Sequence, residues 1–461
     1  MNFLAGRYGI LLTGMLIFIS RLPFLNAGYG SEEDAWGMAL TAHNISQTGI
    51  YEYSRLPGHP VPELIYAAIY STGYFGFNLL TAIISTAGML FFMAALRLAG
   101  IRNYLAAGIA LAFTPVIYIA STNTMDYTWA LAFIMVAFYL LLSGHYALAG
   151  IAMGIAIGCR ITSAFCILPF LFLLNVTNSF RPFSRPVIAF VSSAIFVSFI
   201  LFLPLFNRYG LGFFTFYDTI YPTFAKAFYK FTFAVYGTIG SAVLLLYFIL
   251  TASNKTIFRL QDPLHQKLRF VSVIVILGYS VLYWYLPQKA AFMIPVIPFI
   301  ILFFAIHLPG KKITTLAICM VASGFFLGVN LYDPYRGGKP STLAIPFNAG
   351  RQQAAFDPVM GPVTDEYSKR KQCLSFAASV VKRCETFKEK TAVVAGWWQG
   401  YLLLAQDTSA AGHTVFHYYA TENTLKELKE KGYRIFYLPE QDYFNDQRYG
   451  SEYTKQYARE W

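Results

Sequence analysis

The stretch "HYALAGIAMGIAIGCRITSAFCILPFLFLLNV", residues 145–176, contains one charged side chain, Arg160. It is too long for one straight helix across a bilayer, because the hydrocarbon core is spanned by about 20 residues. Two short spans that meet near Arg160 fit its length. The number of spans here sets the orientation of every later segment, so this stretch decides the fold.

The composition places the chain among membrane proteins. Of its 461 residues, 56% are hydrophobic and 13% are charged, whereas charged residues make up about a quarter of a soluble domain. The net charge of +12 would suggest a nucleic-acid partner in a soluble protein. Here cytoplasmic loops and a polar tail account for much of it, so we expect no nucleic-acid partner.

Windows long enough to span a bilayer recur along the first 331 residues. The first window is interpreted as a retained span, because no small-x-small cleavage site follows it. With the two short spans, the sequence predicts a polytopic α-helical membrane protein with about 11 transmembrane helices. The other windows cover approximately 8–25, 74–96, 104–121, 127–143, 187–206, 232–252, 270–286, 290–307 and 313–331.

Basic residues fall on one side of the predicted bilayer when residues 145–176 form two spans. The positive-inside rule makes this side, which also holds the N-terminus, cytoplasmic. Residues 332–461 are then extracytoplasmic, and so is the first loop, residues 26–73. The basic residues on the N-terminal side are Arg97, Arg102, Arg181, Arg185, Lys255, Arg259, Lys267, Arg269, Lys311 and Lys312.

The polar tail has the pattern of a small α/β domain. Charges become frequent after "NLYDPYRGGKPS", residues 330–341. The segments "KTAVVAGWWQGYLLLAQD" (390–407) and "TENTLKELKEKGYRIFYLPE" (421–440) predict a strand followed by a helix and a helix followed by a strand. We therefore divide the chain into a membrane domain, 1–331, and an extracytoplasmic α/β domain, 332–461.

The first predicted loop opens with three consecutive carboxylates, Glu32, Glu33 and Asp34. Ser31 followed three residues later by Asp34 fits a capping box, and all three acids suit the positive end of a helix dipole. This structural role is one interpretation. In the other, one acid is a general base at the water–lipid boundary, where partial desolvation raises its basicity.

The residues after these acids predict a helix on the outer membrane surface. Trp36, Leu40 and Ile45 approximate an apolar stripe, and Gly49 fits a C-cap. Several polar groups at other predicted span ends share this face of the membrane: the loops 121–126, 207–230 and 286–289, together with Arg160 and the tail.

Five further residues on this face are candidates for substrate binding. Arg55 and His59 lie in the Pro-rich segment "YSRLPGHPVPE", and Asp126 directly precedes a span. Arg160 lies inside an apolar hairpin and Lys289 at a span end, where a basic side chain either extends towards water or meets an anion. For each residue a purely structural role is the alternative.

One carboxylate and a few cations suffice for transfer of a sugar from a lipid phosphate. The leaving phosphate is a stabilised anion, so cations receive its charge and no acid has to protonate it. The carboxylate then acts as base on the acceptor hydroxyl. Hydrolysis of an ordinary glycoside needs a second carboxyl, which Glu32, Glu33 or Asp126 would supply, so this alternative stays open.

The motifs and their order resemble the integral-membrane GT-C glycosyltransferases, especially the bacterial branch with protein O-mannosyltransferases and aminoarabinose transferases. The resemblance covers about residues 8–331. The motifs that carry it are "EEDAW" (32–36), "SRLPGHP" (54–60), "MD" (125–126), "GIAIGCRITS" (154–163) and "KAAFMIPVIPF" (289–299).

The resemblance implies transfer with inversion from a polyprenyl-phosphate sugar outside the cytoplasm, in a bacterial inner membrane. It places the catalytic base on Asp34. The family's usual pair is Asp-Glu, so Glu32 and Glu33 are alternatives here. It assigns Arg160 and Lys289 to the donor phosphate, although "KAAF" departs from the family's usual Arg-Tyr start. Such enzymes differ in metal dependence, which allows a divalent cation, but the chain has no Asp-x-Asp motif.

Several matters stay open at the level of sequence. A lipid or glycan transporter would also be polytopic, but no paired repeat of the transporter type is evident. A non-catalytic assembly subunit is a third alternative. The acceptor is a lipid, a glycan or a protein. Cys373 and Cys384 can form a disulfide only if the helix predicted between them breaks, because eleven helical residues separate them by about 16 Å.

Overall fold

The structure, a computed structural model, describes residues 2–174, 184–212, 221–253, 262–331, 340–349, 352–406, 413–438 and 452–461. Arg181, Lys255 and Arg259 of the predicted basic loops lie outside these ranges, as does part of the loop 207–230. In the described ranges, the regular elements of the first 325 residues are all helical, and both β-sheets lie after residue 327.

Each predicted window of the membrane domain contains a helix, and three further α-helices of the described residues lie in the predicted loops. The helices in chain order are α1 (Asn2–Arg21), α2 (Glu33–Thr48), α3 (Pro60–Ala68), α4 (Gly73–Leu98), α5 (Tyr104–Phe113), α6 (Pro115–Ala120), α7 (Tyr127–Leu142), α8 (Tyr146–Cys159), α9 (Ile167–Leu174), α10 (Arg185–Tyr209), α11 (Phe224–Phe231), α12 (Phe233–Ala252), α13 (Pro263–Tyr285), α14 (Ile297–His307) and α15 (Gly310–Phe325). Those in the predicted loops are α2, α3 and α11. Five helical segments of the described chain are long and apolar enough to cross a membrane, and five shorter apolar helices accompany them. The count of eleven spans stays a prediction.

Within the predicted stretch 145–176, the described residues 145–174 form two helical segments that meet at Arg160, as predicted. α8 ends at Cys159, Arg160 has an extended backbone, and a 3-10 turn from Ile161 leads into α9. α8 packs closely on α10 because Gly150, Gly154 and Gly158 line one side of it. A Cβ atom on Gly150 would lie 2.2 Å from the carbonyl oxygen of Phe190, so only glycine allows this approach.

Two of the predicted windows differ from the helices observed. The window 104–121 is interrupted at Pro115, which has no amide hydrogen to donate and begins a new helix, α6. The window 313–331 is too long, because α15 ends at Phe325 and Gly328–Leu331 form a strand of the C-terminal sheet. Hydropathy alone did not distinguish this buried strand from the end of a span.

The C-terminal part contains two small sheets. Strands β1 (Gly328–Leu331), β2 (Ile345–Ala349) and β3 (Gln352–Asp357) form an antiparallel sheet in the order β1-β3-β2. Strands β4 (Thr391–Val394), β5 (Thr414–His417), β6 (Arg434–Tyr437) and β7 (Arg459–Glu460) form a parallel sheet in the order β5-β4-β6-β7. The helices are α16 (Pro362–Cys384), α17 (Gln399–Gln406), α18 (Glu422–Glu430) and α19 (Glu452–Tyr457).

Both strand and helix units predicted in the tail are present. β4 and α17 occupy the segment 390–407, while α18 and β6 occupy 421–440. Trp397 and Trp398 of "GWWQG" are buried. α16 runs without a break through Cys373 and Cys384, and neither cysteine forms a disulfide. A disulfide between them would require a break in this helix, and the helix is continuous.

One hydrophobic core continues from the membrane domain into the C-terminal domain. At the seam, the indole of Trp36 in α2 stacks on the ring of Tyr401 in α17, with 3.9 Å between centroids. Trp36 also donates a hydrogen bond from Nε1 to the carbonyl of Gly30, at 2.8 Å. Trp36, which belongs to the predicted apolar stripe of α2, is therefore buried under the C-terminal domain.

Candidate active site

Two of the three consecutive carboxylates form the first turn of α2. Glu33 and Asp34 lie in the first turn, and Gly49 ends the helix in a left-handed conformation with φ 67°. The predicted capping box is wrong, since Glu32 is the N-cap and its side chain makes no cap hydrogen bond. The Ser31 hydroxyl instead donates to Oε1 of Glu366 in α16, at 2.6 Å.

The segment that carries Arg55 and His59 is held by a buried carboxylate, Glu63. Glu63 accepts hydrogen bonds from the Tyr51 hydroxyl, from the amide of His59 at 3.0 Å, and from both the amide and the hydroxyl of Ser54 at 2.8 and 2.6 Å. Glu63 was not among the predicted site residues. The feature that could have indicated it is a lone carboxylate in the apolar helix "PVPELIYAA", because a buried charge needs partners.

Asp126 lies directly before α7 and binds two arginines. Its Oδ1 accepts a hydrogen bond from Nη2 of Arg55, and its Oδ2 accepts one from Nη1 of Arg160 at 2.8 Å. Nδ1 of His59 lies 3.4 Å from the same Oδ2. The Arg160 guanidinium is also 4.4 Å from the ring centre of Tyr127. Asp126 therefore joins segments that are far apart in the sequence.

Lys289 closes the cluster from the other side. Its Nζ contacts Oδ2 of Asp34 and lies 2.7 Å from Oε2 of Glu32. Arg55 connects the two halves, since its Nε is 3.4 Å from Asp34 while its Nη2 binds Asp126. Three carboxylates and three permanent cations thus form one network, and all of the predicted site residues except Glu33 belong to it or contact it.

The two aspartates differ in accessibility. The side chain of Asp34 is 25% exposed, whereas that of Asp126 is fully buried. Burial by itself would raise the pKa of Asp34, but the charges of Lys289 and Arg55 outweigh it and hold the pKa well below its ordinary value. The sequence analysis expected desolvation to raise the basicity of this acid. In the ligand-free arrangement the neighbouring cations reverse that effect.

Two buried nitrogen atoms of the network have no hydrogen-bond partner among the described residues: Nη1 of Arg55 and Nε2 of His59. Burial lowers the pKa of His59, despite the nearby charge of Asp126, so its ring is neutral at neutral pH. Nδ1 of His59 donates to the carbonyl of Cys159 at 2.9 Å, which leaves Nε2 as an acceptor. Arg55 retains a donor for a further oxygen atom, such as that of a phosphate.

The described residues contain no group of three or more His, Cys, Asp and Glu side chains arranged to hold a metal ion. Each of Glu32, Asp34 and Asp126 contacts a basic side chain. The carboxylates of the cluster are accordingly paired with arginine and lysine.

The C-terminal domain contacts the same acidic turn. The Tyr418 hydroxyl lies 3.3 Å from Oε2 of Glu33, so Glu33 points to this domain. Nη2 of Arg370 in α16 donates to the carbonyl of Gly28 at 2.7 Å, and its Nη1 donates to the carbonyl of Phe24 at 3.2 Å. Tyr418 and Arg370 were not predicted from the sequence, since only the docked domain brings them to the acidic turn.

Comparison with solved structures shows that the chain has a GT-C-like membrane-protein fold. The structure of ArnT from Cupriavidus metallidurans in the apo state matches with a TM-score of 0.59 and 12% sequence identity over 95% of this chain and 94% of that chain. The structure of the same ArnT bound to undecaprenyl phosphate matches with a TM-score of 0.57 and 11% identity, at the same coverage. No family model and no curated protein matches the sequence.

Proposed function

We propose that the protein is a glycosyltransferase that moves a sugar from a polyprenyl-phosphate donor to a hydroxyl acceptor, with Asp34 as general base. The observation that carries this proposal is the convergence of Arg55, Arg160 and Lys289 beside one partly exposed carboxylate, Asp34. The GT-C-like fold supports it, and so does the undecaprenyl phosphate bound to ArnT in one of the two similar structures.

The three cations bind the donor phosphate. Arg55 has a buried guanidinium nitrogen without a partner in the described chain, and arginine donors match phosphate oxygens in geometry as well as in charge. Asp126 keeps Arg55 and Arg160 in place through their other nitrogen atoms. The donor phosphodiester carries one negative charge, and departure of the sugar adds a second, which these cations stabilise.

Asp34 removes the proton of the acceptor hydroxyl as its oxygen attacks the anomeric carbon from the face opposite the phosphate. The new bond joins the acceptor oxygen to the anomeric carbon, and the bond from that carbon to the phosphate oxygen breaks with its electron pair. The proton is on Asp34, the phosphate leaves as a dianion, and the configuration is inverted. Solvent then takes the proton from Asp34.

Donor binding also restores the basicity of Asp34. In the ligand-free arrangement, Lys289 and Arg55 lower its pKa. An arriving phosphate competes for these cations and reduces their effect on the carboxylate. The base is therefore strongest when the donor is present.

The reaction takes place outside the cytoplasm at a bacterial inner membrane, with the N-terminus inside and the C-terminal domain outside. The basis for this orientation is the distribution of lysine and arginine among the predicted loops. The acceptor is a lipid, a glycan or a protein.

The test uses purified protein in nanodiscs with labelled polyprenyl-phosphate sugars and an envelope extract as acceptor. Wild type should transfer label, while Asp34→Asn should lower the rate by about 10²–10⁴-fold without changing the unfolding temperature. Glu422→Gln, at an exposed ion pair with Lys426 in the C-terminal domain, is the control and should keep its activity. Undiminished transfer by Asp34→Asn would move the base to another residue, and no transfer with any donor would reject the transferase function.

A further inference from the structure

We propose that the C-terminal domain forms part of the acceptor site, through Tyr418 and Tyr419, and that the acceptor is a saccharide. This inference rests on the proposed function. It starts from the two neighbouring carboxylates at the start of α2: Asp34 points to Arg55 and Lys289, whereas Glu33 points to Tyr418. Adjacent positions of a helix differ by about 100° in direction, so one helical turn faces both substrates.

The donor occupies one side of Asp34. Arg55, Arg160 and Lys289 lie there, in or beside segments of the membrane domain. Glu33 is exposed on the other side of the turn. An acceptor that reaches the exposed part of Asp34 from water therefore passes Glu33 and the C-terminal residue bonded to it, Tyr418.

The position of Tyr418 follows from the parallel sheet. The carboxyl ends of parallel strands form the edge at which α/β domains bind ligands. β5 ends at His417, and Tyr418 and Tyr419 come directly after it. This edge faces the start of α2, because the segment after β4 leads into α17, which packs on α2 through the stacked rings of Tyr401 and Trp36.

The contacts between the domains fix the distance from Tyr418 to the base. Three contacts surround the acidic turn: the stack of Trp36 on Tyr401, the hydrogen bond of Ser31 to Glu366, and the bond of Arg370 to the carbonyl of Gly28. Trp36 is two residues from Asp34, the side chains of Tyr401 and Arg370 are buried, and that of Glu366 is half-buried. Tyr418 is thus held on a rigid support beside Asp34.

The chemistry of this surface suits a saccharide. The Glu33 carboxylate accepts hydrogen bonds from hydroxyl groups, and the Tyr418 phenol both donates and accepts them. The neighbouring ring of Tyr419 is 47% exposed and offers a flat apolar face with a polar end. A sugar combines hydroxyl groups with an apolar C–H face, so it matches both features at once.

The experiment measures transfer from one labelled polyprenyl-phosphate sugar to a panel of neutral alkyl glycosides and to a Ser/Thr-rich peptide. We expect transfer to a glycoside. Loss of one hydrogen bond in Tyr418→Phe should raise the KM for the glycoside by about 2–10-fold, and Tyr418→Ala and Tyr419→Ala should raise it by about 10-fold or more. The KM for the donor should change less than about twofold.

Tyr437→Phe is the matched control, since its hydroxyl also lies 3.3 Å from a glutamate, Glu460, in the same domain. Unfolding temperatures of all variants separate local effects from loss of the fold. Transfer to the peptide alone would overturn the saccharide assignment. If the Tyr418 and Tyr419 variants have the same KM for the glycoside as Tyr437→Phe, the proposed acceptor site is wrong. Wild-type transfer would then still support the proposed function. A wild type inactive with every acceptor would reject both.

Discussion

Lys289 and Asp34 are 255 positions apart in the chain and form an ion pair in the folded protein. Lys289 precedes the 3-10 segment Ala290–Val296, and Asp34 lies in the first turn of α2. The same ammonium group also binds Glu32. The pair explains why the proposed base is weakly basic without donor, and it gives the cation that a donor phosphate would engage first.

Removal of Lys289 should change the pH dependence of transfer. Asp34 acts as a base only when deprotonated, so activity falls as the pH drops through its pKa. Lys289 lowers that pKa, and Lys289→Ala should therefore move the acidic limb of the pH–rate profile to higher pH and raise the KM for the donor. Lys369→Ala, which removes a lysine paired with Asp365 outside the site, is the control. If the acidic limb of Lys289→Ala stays at the wild-type pH, Lys289 does not control the pKa of Asp34.

Asp126→Asn should destabilise the protein strongly. Asp126 is fully buried and neutralises Arg55 and Arg160, and breaking a buried ion pair costs about 3–5 kcal/mol. The free energy of unfolding, measured by SDS titration, checks this value. Asp262→Asn provides the comparison, since Asp262 is half exposed as the N-cap of α13 and asparagine caps a helix about as well as aspartate, so this change should cost less than about 0.5 kcal/mol. Equal losses in the two variants would exclude a special role for Asp126 in stability.

Glu63→Gln should weaken donor binding, because Glu63 holds Tyr51, Ser54 and the amide of His59 around the segment that carries Arg55. Hydrogen bonds to a charged group contribute about 1.5–3 kcal/mol each, and their weakening leaves Arg55 less well placed. We expect the KM for the donor to rise about tenfold. Glu52→Gln, at an exposed pair with Arg208, should leave it unchanged. A normal donor KM in Glu63→Gln would show that Arg55 is positioned without Glu63.

Trp36→Ala should loosen the C-terminal domain. Loss of the buried indole removes the stack on Tyr401, and truncation of a buried tryptophan costs about 3–5 kcal/mol. Hydrogen exchange in α17 should become faster, and transfer should fall because the start of α2 is less well fixed. Trp284→Ala, at a more exposed tryptophan, should leave exchange in α17 unchanged. Unaltered exchange in Trp36→Ala would show that the other contacts are sufficient for docking.

Local patterns predicted most elements of this fold. Apolar length placed the helices of the membrane domain, and the single charge at Arg160 marked the break between α8 and the next segment. The strand and helix units of the tail followed from their alternating patterns. The predicted capping box failed where a tertiary contact overrode the local pattern, because Ser31 binds Glu366 rather than capping α2. The burial of Trp36 against Tyr401 is likewise a tertiary contact that the apolar stripe did not indicate.

The sequence by itself determined the membrane character, the helix positions and the residue types of the site, because apolar length and charge placement are local properties of the chain. Only the tertiary structure decided which charges pair: that Asp126 is fully buried between two arginines, that Lys289 lies on Asp34, and that Glu33 faces Tyr418 of the C-terminal domain. These contacts depend on how distant helices and a docked domain pack together. No local pattern encodes such packing, so the pKa of the proposed base and the identity of its neighbours became evident only in the folded chain.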